Sequence, residues 1–357
     1  MQRGPPGTGK FASDHCKSII LFPCNYIQRS HGFEQIAFRD RRMTGFKKIL
    51  LVYSGKENGR DALERAFSIA KHNKSGLTIV WVVERIPERM DDFLEMVSVK
   101  ELEKALVDER LSEIKNAIKK YESRTKIKAE VKVLTGKPQI EIIREVLRNK
   151  HDLVIKTAGG KGRAKDPLLG SVDIGLLRKC PSPVWMLKPS RSRKYSRILA
   201  AIDPDPTDQK TNELNGSILE LALSVSKHEK SELHIVHAWS LFGEKALRGP
   251  RFGKSEAQIK KLLGETRRAH KECVETLLAK NGLDESEYKL HLLKGDPSVL
   301  IPKFAAREKM DLVVMGTVCR TGLPGFIIGN TAESVLSQVK CSLLTVKPAG
   351  FVSPVKL

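Results

Sequence analysis

The chain has 357 residues, 40% of them apolar and 29% charged, with a net charge of +21. That length holds two domains of ordinary size, and the composition is that of a globular protein rather than a fibrous or low-complexity one. No apolar run reaches membrane-spanning length, and six scattered cysteines without a C-x-x-C pair suggest neither a zinc site nor a disulfide framework, so a reduced cytoplasm is the expected location.

Residues 1–42 show neither helical nor strand periodicity and read as a disordered extension, with Met43 opening a clean domain as the expected true start. Within the extension, Gly4-Pro5-Pro6-Gly7-Thr8-Gly9-Lys10 spells most of a phosphate-binding P-loop. A working P-loop needs a buried strand before it and a Ser or Thr after the lysine to meet magnesium. Here only three residues precede the run and Phe11 follows it, so the match is incidental.

Two similar halves follow, 43–190 and 196–357, joined by a short basic linker at 191–195. In the first, strands are expected at 48–53, 77–83, 127–134, 152–156 and 184–187. Helices are expected at 58–73, about 93–121, 138–147 and up to 177. The second repeats the order, with strands at 197–202, 233–238, 288–293, 312–315 and 341–346. Its helices fall at 216–228, 256–280, 298–309 and from 330 onward. Lys188-Pro189 and Lys347-Pro348 close the copies in the same way. Strands alternating with helices give an α/β fold with a parallel sheet.

The most informative stretch is 311–347. An apolar strand ends at Gly316, a polar loop runs to Gly329, and Asn330-Thr331 opens a helix with Glu333 in its first turn. Glycine lets backbone N–H groups approach a ligand, and a helix start offers orphan donors and partial positive charge, so the arrangement suits an anion, typically phosphate. Taken alone, the same pattern serves a bare turn equally well.

The whole stretch resembles the carboxy-terminal signature of the universal stress protein family: Gly, two residues, Gly, nine residues, then Gly-Ser or Gly-Thr. Gly316 and Gly329 match the first and third glycines, Cys319 stands at the second, and Asn330 stands at the Ser or Thr. The runs 176–186 and 329–333 extend the resemblance to both halves, and it covers nearly all of 43–357. It implies two tandem domains, each a five-stranded parallel sheet with helices on both faces, of the adenine nucleotide alpha hydrolase-like kind. It also implies ATP or another adenine nucleotide as the ligand, with Asp203 meeting ribose, Ala238 packing on the base, and Met315, Gly316, Gly329, Asn330 and Thr331 completing the pocket.

The first half departs from that pattern. Val52-Tyr53-Ser54 has no Asp at the ribose position, and its Gly-rich loop reaches Gly170 early. Gly159, Gly162, Gly170 and Ser171 form a candidate anion loop, but a degenerate packing domain is the stronger reading. No metal site is expected: His234 and His237, three apart on a strand, face opposite sides. No nucleophile–base–acid set appears at recognisable spacing. The chain is therefore read as a non-enzymatic stress-response protein that binds a small ligand and partners. Slow ATP hydrolysis in the second half and polyanion binding by the first half are the alternatives. The first half and linker together hold +13 of the charge, but lysines interleave with glutamates, as in 113–120, and no aromatics are interleaved to stack bases. Nucleic acid and membrane are accordingly not expected partners. The resemblance implies that the two halves pair within one chain through their final strands, with a homodimer or other universal stress proteins as further partners.

Overall fold

Why the apolar runs become strands is plain in the computed structural model, which describes residues 45–87, 98–159, 169–188, 194–317 and 328–357. The P-loop-like run, Gly162 and Cys319 lie outside those residues. The first half holds β1 (Lys48–Val52), β2 (Gly76–Val83), β3 (Ala129–Thr135), β4 (Leu153–Thr157) and β5 (Val184–Leu187). The second holds β6 (Arg197–Ala201), β7 (Glu232–Trp239), β8 (Lys289–Lys294), β9 (Leu312–Gly316) and β10 (Ser342–Val346). Strands such as β5 and β9 are covered on both faces and are accordingly apolar almost without interruption.

All ten strands form one sheet in the order β3-β2-β1-β4-β5-β10-β9-β6-β7-β8. Pairing is parallel within each half. At the centre, β5 and β10 pair antiparallel, with Met186 opposite Leu343 and Trp185 opposite Leu344. The two edges that would otherwise be open are thereby joined.

Helices cover both faces. On one lie α1 (Lys56–Asn73), α2 (Val99–Thr125), α5 (Gln209–Glu229) and the end of α7 (Glu256–Lys280), contributing Phe67, Ile114, Leu219 and Leu278 to the core. On the other lie α3 (Pro138–Asn149), α4 (Ser171–Lys179), α8 (Pro297–Arg307) and α9 (Asn330–Gln338), contributing Ile142, Leu176, Phe304 and Val335. Each such side chain adds about 1.5–3 kcal/mol on full burial.

Helix ends moved furthest from expectation. Helix α5 starts at Gln209, not 216, because the Asp208 side chain accepts from the Lys210 and Thr211 amides. Helix α2 begins at Val99 behind a capping box between Ser98 and Glu101 and runs past 121 to Thr125. Five lysines near helix ends (Lys74, Lys126, Lys150, Lys230 and Lys309) take left-handed backbone angles where glycine is the usual choice. A short helix, α6 (Glu244–Arg248), occupies a stretch with no expected element. Residues 240–270 belong to a compact unit distinct from the rest; in it Arg248 pairs with Glu244 and Glu256, and the Lys254 amide donates to the Leu247 carbonyl.

Internal duplication reaches the capping chemistry. Asp152 accepts from the Lys47 and Lys48 amides, and Asp311 accepts from the Ser196 and Arg197 amides. Gly136 and Gly295 both take φ values open to glycine, 145° and 133°, while their amides donate to Val83 and Trp239. Lys188 donates to the Val339 carbonyl, and Lys347 donates to the Leu177 carbonyl at 2.7 Å, so each final lysine bonds the other half's last helix or its cap. A buried ion pair also joins the halves: Arg65 on α1 meets Glu229 on α5 at 2.6 Å. The Arg65 guanidinium lies 3.8 Å from the Tyr195 ring centre, and Glu229 also accepts from the Tyr195 amide. Tyr195 is thus buried against this pair, although it falls at the end of the expected linker.

Candidate functional site

Chain order and strand order together create a topological switch point in each half. In the second half the chain goes from β6 to β7 on one side, then returns by β8 to β9 on the other side of β6. Ligands of open α/β sheets bind beyond the carboxyl ends of the strands at such a switch point. The residues read from the sequence stand around this one. Asp203 follows β6, Ala238 lies near the end of β7, and Met315 and Gly316 end β9. Gly329, Asn330 and Thr331 form the start of α9, and the Gly329 amide donates to the Thr317 carbonyl at 3.2 Å, tying the loop's return to its departure.

Asp203 is mostly exposed, so its carboxylate can accept from a ligand. Its amide donates to Asn215 Oδ1 at 3.1 Å, whereas the buried Asn215 Nδ2 has no acceptor among the described residues. Buried His237 lies with Nδ1 3.2 Å from the Ile202 carbonyl and 3.7 Å from Asp203 Oδ1. A carbonyl only accepts, so Nδ1 carries the proton. His234 takes separate partners, His291 and Glu232. Among the described residues, no group of three or more His, Cys, Asp or Glu could hold a metal.

At Gly316 a Cβ would come within 2.9 Å of Leu214 Cδ2 on α5, the movable end of a half-buried side chain. Asn330 and Thr331 are exposed on the first turn of α9, where a helix leaves backbone donors unpaired. Thr317 is fully buried and accepts from Lys347 Nζ at 2.6 Å. Burial pulls the Lys347 amine down to about 8. By contrast, burial pushes the Cys180 and Cys341 thiols up to about 12, which makes both inert as nucleophiles.

The corresponding place in the first half is built differently. Asp173, on the first turn of α4, is fully buried. It accepts from Lys156 Nζ at 2.7 Å and from the Gly159 and Gly170 amides, each at 2.9 Å. Met315 and Ala332 occupy the equivalent positions of the second half. Neither Asn215 nor the Lys156–Asp173 pair was read from the sequence, whereas His237 was, as a residue facing away from His234 and so no metal ligand. The signal available for the pair was a lysine in an otherwise apolar strand followed by an Asp in a helix's first turn.

The fold defines a doubled open α/β protein whose two half-sheets meet edge to edge. The Universal stress protein family model matches residues 45–188 and 194–347, and the chain belongs to that family. It is 29% identical over 318 residues to Universal stress protein E of Salmonella typhi, covering 88% of this chain and 98% of that protein. It is 28% identical over 311 residues to the Universal stress protein E homolog of Haemophilus influenzae, covering 85% and 98%. A functionally unknown protein from Pseudomonas aeruginosa PAO1 superposes with a TM-score of 0.62 at 27% identity, covering 86% and 94%. A universal stress protein from Archaeoglobus fulgidus DSM 4304 shares the fold, with a TM-score of 0.58 at 22% identity, covering 84% and 98%. No helix among the described residues is long and apolar enough to cross a membrane.

Proposed function

We propose that this protein serves the stress response as a non-enzymatic binder that takes an adenine nucleotide, such as ATP, in its second half. Family membership supports the stress-response role. The observation that carries the ligand reading is the open first turn of α9 at the β6/β9 switch point, where Ala332 leaves the helix start without the internal carboxylate found in the first half. In this reading, the α9 amides and Asn330 and Thr331 hold the phosphates, and Asp203 accepts from the ribose hydroxyls. Ala238 and Met315 flank the base. The Asn215 amide, placed by its bond to the Asp203 backbone, fixes the turn that presents the carboxylate.

Calorimetric titration of ATP into the full chain tests this, with Asp203→Ala and Ala332→Asp as comparisons. The expected result is one site per chain. Losing a hydrogen bond to a charged group costs about 1.5–3 kcal/mol, so Asp203→Ala should weaken binding roughly 10- to 150-fold. Ala332→Asp should abolish it, since a carboxylate would compete with phosphate for the same donors. Failure of the unaltered chain to bind at millimolar ATP would overturn the proposal.

A further inference from the structure

Asp173 does more than a helix cap requires. A first-turn acid reaching back to the N-cap amide is common, and the bond from the Gly170 amide is that contact. Two further donors come from elsewhere in the chain. Gly159 lies just beyond β4, across the loop from Gly170, and Lys156 projects from β4 itself. Lys156 Nζ also donates to the Thr157 carbonyl at 2.9 Å. Two backbone amides and an ammonium therefore converge on one carboxylate of zero exposure. This is the donor set of an oxyanion site. The backbone around it is closely fitted as well: a Cβ on Gly170 would come within 2.1 Å of the Gly159 carbonyl oxygen.

We propose that the first half contains an oxyanion cradle that the chain fills with its own Asp173 carboxylate, and that removing this carboxylate opens the cradle to a small external oxyanion, a carboxylate or a phosphate. The cradle consists of Lys156, Gly159, Gly170 and the start of α4. The first half is thus a site closed from within, and a ligand reaches it only by displacing a buried, charge-paired side chain. This holds whether or not the second half binds a nucleotide, because it concerns donors in the first half alone.

Chemical rescue tests it. Asp173→Ala in the full chain leaves Lys156 buried without its counter-charge and should lower the melting temperature. Sodium formate, sodium acetate and inorganic phosphate, compared with sodium chloride at matched ionic strength, should restore part of that loss in a saturable manner. The unaltered chain should show no such response. Rescue by formate and acetate alone would mark a carboxylate-sized cradle, and rescue by phosphate would mark a larger one; either supports the proposal. The double variant Lys156→Met/Asp173→Ala copies the second half and removes both buried charges. It should fold even if the single variant does not, and should melt above it. Equal melting shifts with chloride and with the oxyanions, or a double variant less stable than the single one, would overturn the proposal.

Discussion

Replacing Arg65 by Met breaks the buried ion pair that links the two halves and should be the most damaging single change on that face. Among the described residues, its partner Glu229 would keep the Tyr195 amide as a donor, with a side chain about one-tenth exposed. Breaking a buried pair by removing one member costs about 3–5 kcal/mol, mainly because the other charge stays desolvated. The lost stacking on Tyr195 and Trp185 adds roughly 0.5–2 kcal/mol. Glu229→Gln keeps an acceptor for the Tyr195 amide, so the double variant Arg65→Met/Glu229→Gln should recover about 2 kcal/mol relative to the sum of the single changes. Urea denaturation of the four proteins, followed by fluorescence and by circular dichroism, measures this. If Arg65→Met costs less than about 1 kcal/mol, or the changes add within about 0.5 kcal/mol, then the pair does not hold the halves together as argued.

Lys347 gives a pH dependence of defined sign. Its amine titrates near 8 when folded and near 10.5 when free, so between those values Lys347 alone makes the unfolded chain bind more protons and adds a rise of stability with pH, opposed above about 9 by the buried Cys180 and Cys341 thiols. Lys347→Met should remove that contribution, so that from pH 8 to 10 the urea midpoint changes less favourably with pH in the variant than in the parent. The left-handed lysines predict gains: Lys126, at φ 62° and exposed, carries about 1–2 kcal/mol of backbone strain that glycine relieves at about 0.5–1 kcal/mol of added unfolded-state entropy. Lys126→Gly should therefore stabilise the protein by roughly 0.5 kcal/mol, detectable as a higher urea midpoint at unchanged slope.

The strands were legible because both-face burial favours largely apolar runs, and 312–315 and 341–346 supply them. The helix ends were less legible. The Asp208 cap precedes a polar first turn, so apolar periodicity registers only later in α5, while the cap itself is one residue. The second-half site was readable in outline because Gly316, Gly329 and the following helix are contiguous signals. A side chain at Gly316 would nevertheless meet Leu214, just over a hundred residues away in the chain. Asn215 and Asp173 were missed for the same reason: each matters through a partner that only the fold brings near.

The antiparallel junction of β5 and β10 reverses the direction of one half-sheet relative to the other. The carboxyl ends of the first half's strands therefore point toward one end of the molecule and those of the second half toward the opposite end. A single partner reading both strand ends must span the full length of the strands. At the junction one lysine joins the halves directly: Lys347 bonds both the Thr317 hydroxyl, at the carboxyl end of β9, and the Leu177 carbonyl near the end of α4.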